Sequence, residues 1–357
     1  MNDLSLLETP RMPTLHERWL DLRKMYPTLR IRDAAAQLEV SEAELVATGC
    51  GETVIRLIPE FASLLAELQA LGSLLAITRN DTVVLEHHGI YENPRLRGDG
   101  ALALLFRPGI DARLFLHRWR HAYAVDENRR FSLQFFDAFG TAAHKVYATE
   151  ATEMANWHAL VQRYRHQDQS PGESVLRRPI GESKPATSVT DTQQLREQWR
   201  AIQDVHEAQA LIQNHGGDRR AIYAHLGPEY ARKTRPEIVE QLLDRGSAEA
   251  FELMLFVMND GAVQSYAGPV HQLLRTGPWF NVLDPGFNLH LRTPALAEAW
   301  WIRKPSTDGW VTTLDVFDHH GREVMLLADN REQGAPESPQ WTARLDTMAA
   351  RFTWPGE

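Results

Sequence analysis

The spacing of apolar residues changes once along the first half of the chain. Between residues 14 and 70, apolar positions recur at helical spacing, and Ser41-Glu-Ala-Glu44 has the form of a capping box. From Leu74 onward the apolar segments become short, as in Leu74–Thr78 and Ala101–Phe106, and turn residues separate them. Short segments of this kind are typical of antiparallel strands. The pattern therefore predicts helices followed by a sheet.

The second half of the chain repeats this order. Asn80 and Asn259 stand in matching segments 179 residues apart, and Trp119 and Trp300 match at a separation of 181 residues. A repeat of this length is too long for a solenoid unit and has the size of a whole domain. The sequence predicts an α+β fold, built as a tandem duplication of a domain with a large antiparallel β-sheet flanked by helices.

A change in composition divides the two copies. Residues 167–192 are rich in Ser, Pro, Gly and charged side chains, which is typical of a flexible linker. The predicted domains are therefore an N-terminal repeat at 1–166, the linker at 167–192 and a C-terminal repeat at 193–357.

Composition limits the classes of function. No apolar run approaches the ~20 residues that span a bilayer, and the first ten residues lack the basic and apolar regions of a signal peptide. The single cysteine, Cys50, suits a reducing compartment, so we expect a cytoplasmic protein. The formal net charge of −9 makes general binding to nucleic acid unfavourable, because such binding needs a basic surface.

Several enzyme classes leave no motif. The chain has no G-x-S-x-G, H-E-x-x-H or Walker A sequence, and one cysteine cannot build a four-cysteine zinc or iron–sulfur site. Histidine (15 residues) and tryptophan (10 residues) are abundant instead. Together with arginine, these types can form an apolar slot with an axial metal ligand and groups that bind anions.

His206 is the foremost candidate ligand. Leu195, Trp199, Ile202 and His206 recur at helical spacing, which predicts one helix face. His206 is then either a hydrogen-bonded histidine at the core boundary or an axial metal ligand that projects into a cleft. Alignment of the two repeats puts Ala35 opposite His206, so only the second copy carries the imidazole.

Other histidines have weaker patterns. His117 and His121 are four residues apart and are predicted to share a helix face, which suits either a metal site or a solvated surface. His87 and His88 precede Gly89 at a strand end, where they suit a turn or a secondary ligand.

Three groups of basic residues accompany His206. Arg219 and Arg220 follow Asp218, a predicted N-cap, and cations in a first helical turn oppose the helix dipole, so a nearby anion is expected. Lys304 lies beside a turn, and Arg331 follows a predicted strand. The alternative for each cation is a solvated surface position.

Several segments of the sequence carry a resemblance to a known family, and the most specific are Asp204-Val-His206 and Arg303–Leu314. The others are Ile110–Phe115, Trp119, Ser132–Asp137, His144–Tyr147 and Leu289-His-Leu291. In these segments both halves of the sequence resemble the hemin-degrading factor or cytoplasmic hemin transport family of Gram-negative bacteria, and the resemblance covers nearly the whole chain in order, including the duplication.

The resemblance implies a heme cleft that lies chiefly on the second half and is bounded by an element of the first half. The resemblance further implies that the ligand is heme b (iron protoporphyrin IX). By this resemblance His206 is the axial ligand to the iron, and Arg113 is the distal, catalytic residue that also contacts the cofactor. Arg219, Lys304 and Arg331 correspond to the cations that bind the heme propionates, and arginine can bind a carboxylate through two hydrogen bonds.

The match has three exceptions near these residues. Ala328 and Asn330 stand where family members often carry tyrosine and glutamine, and Ala112 stands where leucine is usual. An asparagine can replace one hydrogen bond of a glutamine, whereas an alanine cannot replace a phenol.

The resemblance implies iron acquisition from imported heme, by one of two routes. In the first, the protein degrades heme with electrons from an external reductant, because the sequence has no flavin or nicotinamide signature. In the second, it is a chaperone or storage protein that receives heme on the cytoplasmic side of a heme ABC transporter and delivers it to a separate heme oxygenase. A third class is an interaction protein whose histidines bind no heme.

Overall fold

The computed structural model describes residues 12–178, 191–205, 207–332 and 334–356. Within these ranges the chain forms ten α-helices, five in each half. They are α1 (Leu15–Met25), α2 (Ile31–Gln37), α3 (Glu42–Ala47), α4 (Phe61–Glu67), α5 (Met154–Arg163), α6 (Thr192–Arg200), α7 (Glu207–Asn214), α8 (Arg219–Leu226), α9 (Glu237–Glu249) and α10 (Pro339–Arg351).

The described residues also form eighteen strands, nine in each half. In the first half they are β1 (Val54–Arg56), β2 (Gly72–Arg79), β3 (Val83–Gly89), β4 (Arg95–Arg97), β5 (Leu102–Leu105), β6 (Asp111–Leu114), β7 (Trp119–Glu127), β8 (Arg130–Asp137) and β9 (Ala142–Thr152). In the second half they are β10 (Ala231–Thr234), β11 (Leu253–Met258), β12 (Ala262–Gly268), β13 (Leu273–Thr276), β14 (Trp279–Asp284), β15 (Phe287–Arg292), β16 (Leu296–Ser306), β17 (Gly309–Asp318) and β18 (Glu323–Asp329).

The strands assemble into two antiparallel sheets with the same topology. One sheet has the order β1-β7-β8-β9-β2-β3-β15-β14-β13, and the other has the order β10-β16-β17-β18-β11-β12-β6-β5-β4. Adding nine to each strand number of the first half converts the first six strands of one sheet into those of the other. The predicted α+β fold and tandem duplication are therefore confirmed.

Each sheet is completed by three strands of the other half. Ala262–Ser265 of β12 pair with Asp111–Leu114 of β6, and Val83–His87 of β3 pair with residues 287–291 of β15. The N-terminal half thus contributes β4–β6 to the sheet of the C-terminal half, and it receives β13–β15 in return. We call these two three-strand units the exchanged arms.

Helices cover both faces of the sheets. Apolar residues of α9 and α10 pack with residues of both sheets in one large buried cluster, and α4 and α5 pack in a second cluster of the same kind. The opposite faces carry α6–α8 on the C-terminal sheet and α1–α3 on the N-terminal sheet. We call these second faces the outer faces. Alternate residues of β16 point to the two faces. Trp301 lies in the large cluster with α9 and α10, whereas Trp300 and Ile302 pack under α6–α8.

A reciprocal pair of asparagines joins the halves at the centre. Asn80 donates from Nδ2 to the carbonyl oxygens of Met258 (2.9 Å) and Val324 (2.8 Å). Asn259 donates to the carbonyl oxygens of Arg79 (2.8 Å) and Ala143 (2.9 Å). Each Oδ1 also accepts two backbone N–H groups from its own turn. The two repeats are thereby bonded to each other by matching residues.

Two local predictions are wrong, and one is confirmed. The helix predicted to run from Leu195 to His206 ends at Arg200, and residues 201–205 are not helical; Leu195 and Trp199 are buried as expected. His117 and His121 share no helix face, because His117 lies in a single 3₁₀ turn and His121 lies on β7. Tertiary pairing overrides the helical spacing there. The capping box at Ser41 is confirmed.

Part of the segment assigned to the linker contacts the N-terminal half. Arg56 forms an ion pair with Glu173, and Tyr123 donates a hydrogen bond to the same carboxylate at 2.5 Å. Farther on, Arg178 donates to Asp137 at 3.1 Å. Residues 179–190 lie outside the described part of the chain.

Candidate functional site

The main cleft lies on the outer face of the C-terminal sheet. It has a volume of about 1980 Å³, and residues of both halves line it. Its floor is apolar, because the alternate side chains of β11 and β18 point to this face. Cleft-lining apolar residues include Phe106, Met254, Phe256, Val263 and Leu326.

Arg113 reaches this cleft because of the strand exchange. It lies on β6 of the exchanged arm, directly opposite Val263 of β12. Its guanidinium lies 5.9 Å from the ring centroid of Phe256 and 3.9 Å from Asp111 Oδ1. An arginine of the first half thus stands over the apolar floor of the second half.

Arg219 lies in the first turn of α8 and lines the same cleft. Its Nε is 3.1 Å from Glu323 Oε2, and it also donates to Tyr223 and Gln209. Burial by itself lowers the pKa of Arg219, but Glu323 and the other acidic neighbours raise it above the ordinary value. The anion expected from the sequence is therefore a carboxylate of the protein itself.

Arg220, the second cation of this turn, also has protein partners. It donates to Glu298 at 3.0 Å, and Lys233 forms a second ion pair with the same carboxylate at 2.7 Å. These cations lower the pKa of Glu298, although burial by itself raises it. Arg220 does not line the described cleft.

Lys304 is buried at the end of the cleft, on β16. Its Nζ donates to Thr313 Oγ1 at 3.2 Å and lies 3.7 Å from Asp315 Oδ2. Asp315 also accepts hydrogen bonds from Thr313 (2.6 Å) and Tyr223 (2.7 Å). The ammonium group is thus fixed by a polar network beneath the cleft, which charge-assisted hydrogen bonds strengthen.

Arg331 also lines the cleft, at the far end of β18. It donates to the carbonyl oxygen of Ala335.

His206 lies outside the described residues, so the axial-ligand prediction has no structural counterpart. Its neighbour Val205 lines the cleft, and Glu207 is the first residue of α7.

The alternative histidines lie elsewhere. His87 is on β3 of the N-terminal sheet, where its ring packs edge-on against Tyr266 at 5.8 Å. Burial lowers the pKa of His87, and its Nδ1 has no hydrogen-bond partner among the described residues. Neither His87 nor His88 lines the described cleft, and within the described chain no three His, Cys, Asp or Glu residues form a candidate metal site.

The sequence did not reveal three residues that organise these cations. Glu323 and Tyr223 bind Arg219, and Asp315 fixes Lys304. Tyr223 had a usable signal, since it lies four residues after Arg219 and such residues meet on a helix. Glu323 had none, because Arg219 is distant in sequence. Asp315 meets Lys304 through the pairing of β16 with β17, which no local motif marks.

The arrangement suits a flat apolar ligand with acidic groups. Aromatic and aliphatic side chains form the floor, while Arg113, Arg219, Lys304 and Arg331 supply positive charge around it. An apolar pocket with a few convergent polar groups is the usual form of a small-molecule site. The fold and this cleft together define a two-repeat ligand-binding protein.

The chain belongs to the haemin-degrading HemS/ChuX domain family. The family model matches twice, at residues 39–164 and 216–348, once in each repeat. Each match contains one set of the corresponding sheet strands, which agrees with the duplication seen in the fold.

The relatives match over almost their full length. The chain is 34% identical over 337 residues to the hemin transport protein HmuS of Yersinia pestis, which covers 93% of this chain and 96% of the relative. Holo-PhuS, a heme-binding protein from Pseudomonas aeruginosa, superposes with a TM-score of 0.90 at 38% identity, covering 95% of this chain and 98% of that one. ChuS, an Escherichia coli heme oxygenase, superposes with a TM-score of 0.83 at 32% identity, covering 94% and 99%.

Proposed function

We propose that this protein binds heme and serves iron acquisition by trafficking imported heme, by degrading it, or by both. The observation that carries the proposal is that one apolar cleft collects Arg113, Arg219, Lys304 and Arg331. Arg113 comes from the first half and the others from the second half, so only the strand exchange brings them together. The hemin transport and heme-binding relatives support the same ligand.

The residues of the cleft fit heme b. The apolar floor suits the faces of a porphyrin, and Arg219, Lys304 and Arg331 would bind the two propionates. His206 would be the axial ligand, since a neutral imidazole binds heme iron well. Arg113, on the exchanged arm, would hydrogen-bond a small ligand on the open side of the iron.

The exceptions to the family pattern have defined surroundings. Ala328 lines the cleft and offers no polar group to a propionate. Asn330 donates to Glu252 Oε2 at 2.7 Å and accepts from Arg107 at 2.9 Å, so its amide is already engaged at the rim. We therefore assign the propionates to the cations alone.

The cellular setting follows from the same proposal. None of the helices in the described ranges is long and apolar enough to cross a membrane. We propose a cytoplasmic protein with an N-terminal repeat at 1–166, a linker at 167–192 and a C-terminal repeat at 193–357. Its partners would be a heme ABC transporter that supplies heme and a heme oxygenase that accepts it.

Carriage and degradation give different products. If the protein degrades heme, an external reductant will convert the complex to a defined bile pigment, and catalase will not suppress the reaction. If it is a chaperone, heme will survive the reductant unless an acceptor is added. Suppression by catalase would instead indicate coupled oxidation by free peroxide. The placement of Arg113 above the floor favours degradation as the first reaction to test.

The experiment that tests heme binding is an absorbance titration with hemin. Wild-type protein should give a saturating Soret shift at one heme per chain, and His206→Ala should abolish or strongly alter that spectrum. His215→Ala is the matched control, because His215 lies near the same helix but bonds to Gln198 at 2.8 Å. Identical spectra for wild type and His206→Ala would move the ligand elsewhere, with His87 and His88 tested next. No shift in wild type would refute heme binding.

A further inference from the structure

Glu323 is an acidic residue of the cleft that pairs with Arg219, one of the cations assigned to the ligand. It is the first residue of β18 and lines the cleft, and its Oε2 lies 3.1 Å from Arg219 Nε. Its other oxygen, Oε1, is buried and has no hydrogen-bond partner within the described chain. The corresponding residue of the first repeat is Ala142, because Gly140 and Gly321 occupy the same turn. The acid is thus present only in the copy that has the open cleft.

The charged groups around Glu323 are balanced before a ligand binds. Arg219 and Tyr223 face it from α8, Asp315 from β17 and Lys304 from β16. Two carboxylates therefore stand against two cations, with a tyrosine that is neutral because burial raises its pKa far above the usual range.

A ligand carboxylate at Arg219 disturbs this balance. It would place a third negative charge beside Glu323 and Asp315 without adding a cation. Like charges in a partly buried site repel strongly, since little water screens them. The charge is restored most simply if one carboxylate takes a proton from solvent.

We propose that Glu323 takes up one proton when an anionic ligand binds to Arg219. The proton adds to the Glu323 carboxylate, which becomes a neutral acid and no longer repels the ligand carboxylate. No other bond forms or breaks. This inference rests on the proposed function for the identity of the ligand, a heme propionate.

The electrostatics of the free protein support this assignment. Burial raises the pKa of Glu323 above the ordinary value, although Arg219 acts in the opposite direction. By contrast, the pKa of Glu298 on the neighbouring strand is lowered by Lys233 and Arg220. Of these two acids, Glu323 is therefore the one that is ready to accept a proton.

The test measures proton uptake during hemin binding. Calorimetric titrations at one pH in buffers with different heats of ionisation give the number of protons taken up by wild type and by Glu323→Gln. Wild type should take up close to one proton more than the variant. Protons released or bound by hemin itself are common to both proteins, so the difference isolates Glu323. Glu298→Gln is the matched control, since Glu298 also pairs with the first turn of α8 but does not line the described cleft.

Hemin affinity against pH provides the second measurement. Wild-type affinity should fall by up to tenfold per pH unit as pH rises between the pKa values of Glu323 in the free and bound states, because deprotonation then opposes binding. Glu323→Gln should lose this dependence and bind more tightly at the alkaline end. If Glu323→Gln does not fold, the wild-type titrations decide alone: hemin affinity that does not change with pH would overturn the inference.

Equal proton uptake in wild type and Glu323→Gln would overturn the inference while leaving heme binding intact. So would an equal loss of affinity at every pH, which is the result of a merely structural role. Absence of any Soret shift in wild type would instead refute the proposed function.

Discussion

The two repeats have the same sheet face and helices, but the large cleft of the described residues lies over that face in the second copy. Equivalent positions of the floor pair in the same register in both sheets: Ile77 with Lys145 in the first copy, and Phe256 with Leu326 in the second. Three floor residues of the second copy, Met258, Leu326 and Ala328, correspond in the repeat alignment to Arg79, Lys145 and Tyr147 of the first. The floor of the second copy is therefore apolar, whereas the same positions of the first copy carry charged and bulky side chains.

In the first copy, the charged groups at these positions have partners within the same repeat. Lys145 forms a buried ion pair with Glu42, and the Arg130 guanidinium lies 4.5 Å from the ring centroid of Tyr147. Glu42 is the first residue of α3, just as Arg219 is the first residue of α8. A carboxylate at that place stabilises the helix dipole, whereas a cation opposes it. The second copy thus gives up some helix stability and gains a cation for the cleft.

The cores of the two repeats differ as well, although this difference does not involve residues that line the cleft. In the first repeat, buried His144 hydrogen-bonds Thr78 Oγ1 at 2.8 Å and Tyr91 OH at 2.7 Å. The equivalent residues of the second repeat are all apolar and fully buried: Met325, Val257 and Val270. The same fold therefore accepts either a complete polar network or none.

The largest expected effect comes from Lys145→Leu, which gives the first repeat the type of residue found in the second. Glu42 then stays buried without its partner, and we expect a loss of about 4 kcal/mol in the free energy of unfolding. Urea denaturation measures this loss. Replacing both partners, as Glu42→Gln with Lys145→Met, should restore most of it.

Lys24→Leu is the control, because Lys24 forms an exposed pair with Asp21. Its effect should stay below about 1 kcal/mol. An effect of Lys145→Leu no greater than that of Lys24→Leu would show that the buried pair does not distinguish the copies.

An intermediate and symmetric effect is expected at the central asparagines. Asn80→Ala and Asn259→Ala each remove two donated and two accepted hydrogen bonds, so each should cost roughly 3 kcal/mol. Because the contacts are reciprocal, the two losses should agree within about 0.5 kcal/mol. Asn156→Ala, which removes one exposed bond to Ala70, is the control. A twofold difference between the two central variants would contradict the equivalence of the repeats.

The smallest effect at neutral pH is expected from His144→Met, which copies Met325. Thr78 and Tyr91 lose their partner, at a cost of about 2 kcal/mol at pH 7. Burial lowers the pKa of His144 to about 3 from the ordinary 6.5. The unfolded chain therefore binds the proton first, and wild-type stability from this residue is present above pH 6.5 and is lost as the pH falls toward 3.

Unfolding free energies measured across that pH range separate the cost of the lost hydrogen bonds from the effect of the lowered pKa of His144. The difference between wild type and His144→Met should fall on acidification by about 1.4 kcal/mol per pH unit and change sign within the window, so that the variant is the more stable protein at its acidic end. His320→Met, at an exposed turn residue, should leave the wild-type dependence intact. A constant difference at every pH would show that His144 does not stay neutral in the fold.

The sequence predicted the fold well where the pattern is local or repeated. The short strand segments, the Ser41 capping box and the duplication all follow from neighbouring residues or from matched segments. The exchange of β4–β6 for β13–β15 did not follow, because both pairings satisfy the same hydrophobic pattern. The helical spacing through Ile202 was also misleading, since the chain leaves the helix after Arg200.

The site was predictable only in part for the same reason. Arg219, Lys304 and Arg331 were candidates from the sequence, whereas their roles and the choice of Arg113 came from a family resemblance; all four line one cleft. Glu323 acts through Arg219, which is distant in sequence, so no spacing pointed to it. Asp315 reaches Lys304 through the pairing of β16 with β17.

The exchanged arms also determine when the protein can fold during its synthesis. His87 of β3 pairs with Phe287 of β15, a contact between residues 200 positions apart. The sheet of the first half therefore keeps an open edge until most of the second half has left the ribosome. Contacts of such long sequence separation slow folding, and an unpaired edge favours aggregation in the meantime. The strand exchange that brings Arg113 into the cleft therefore makes the nascent chain dependent on its last third.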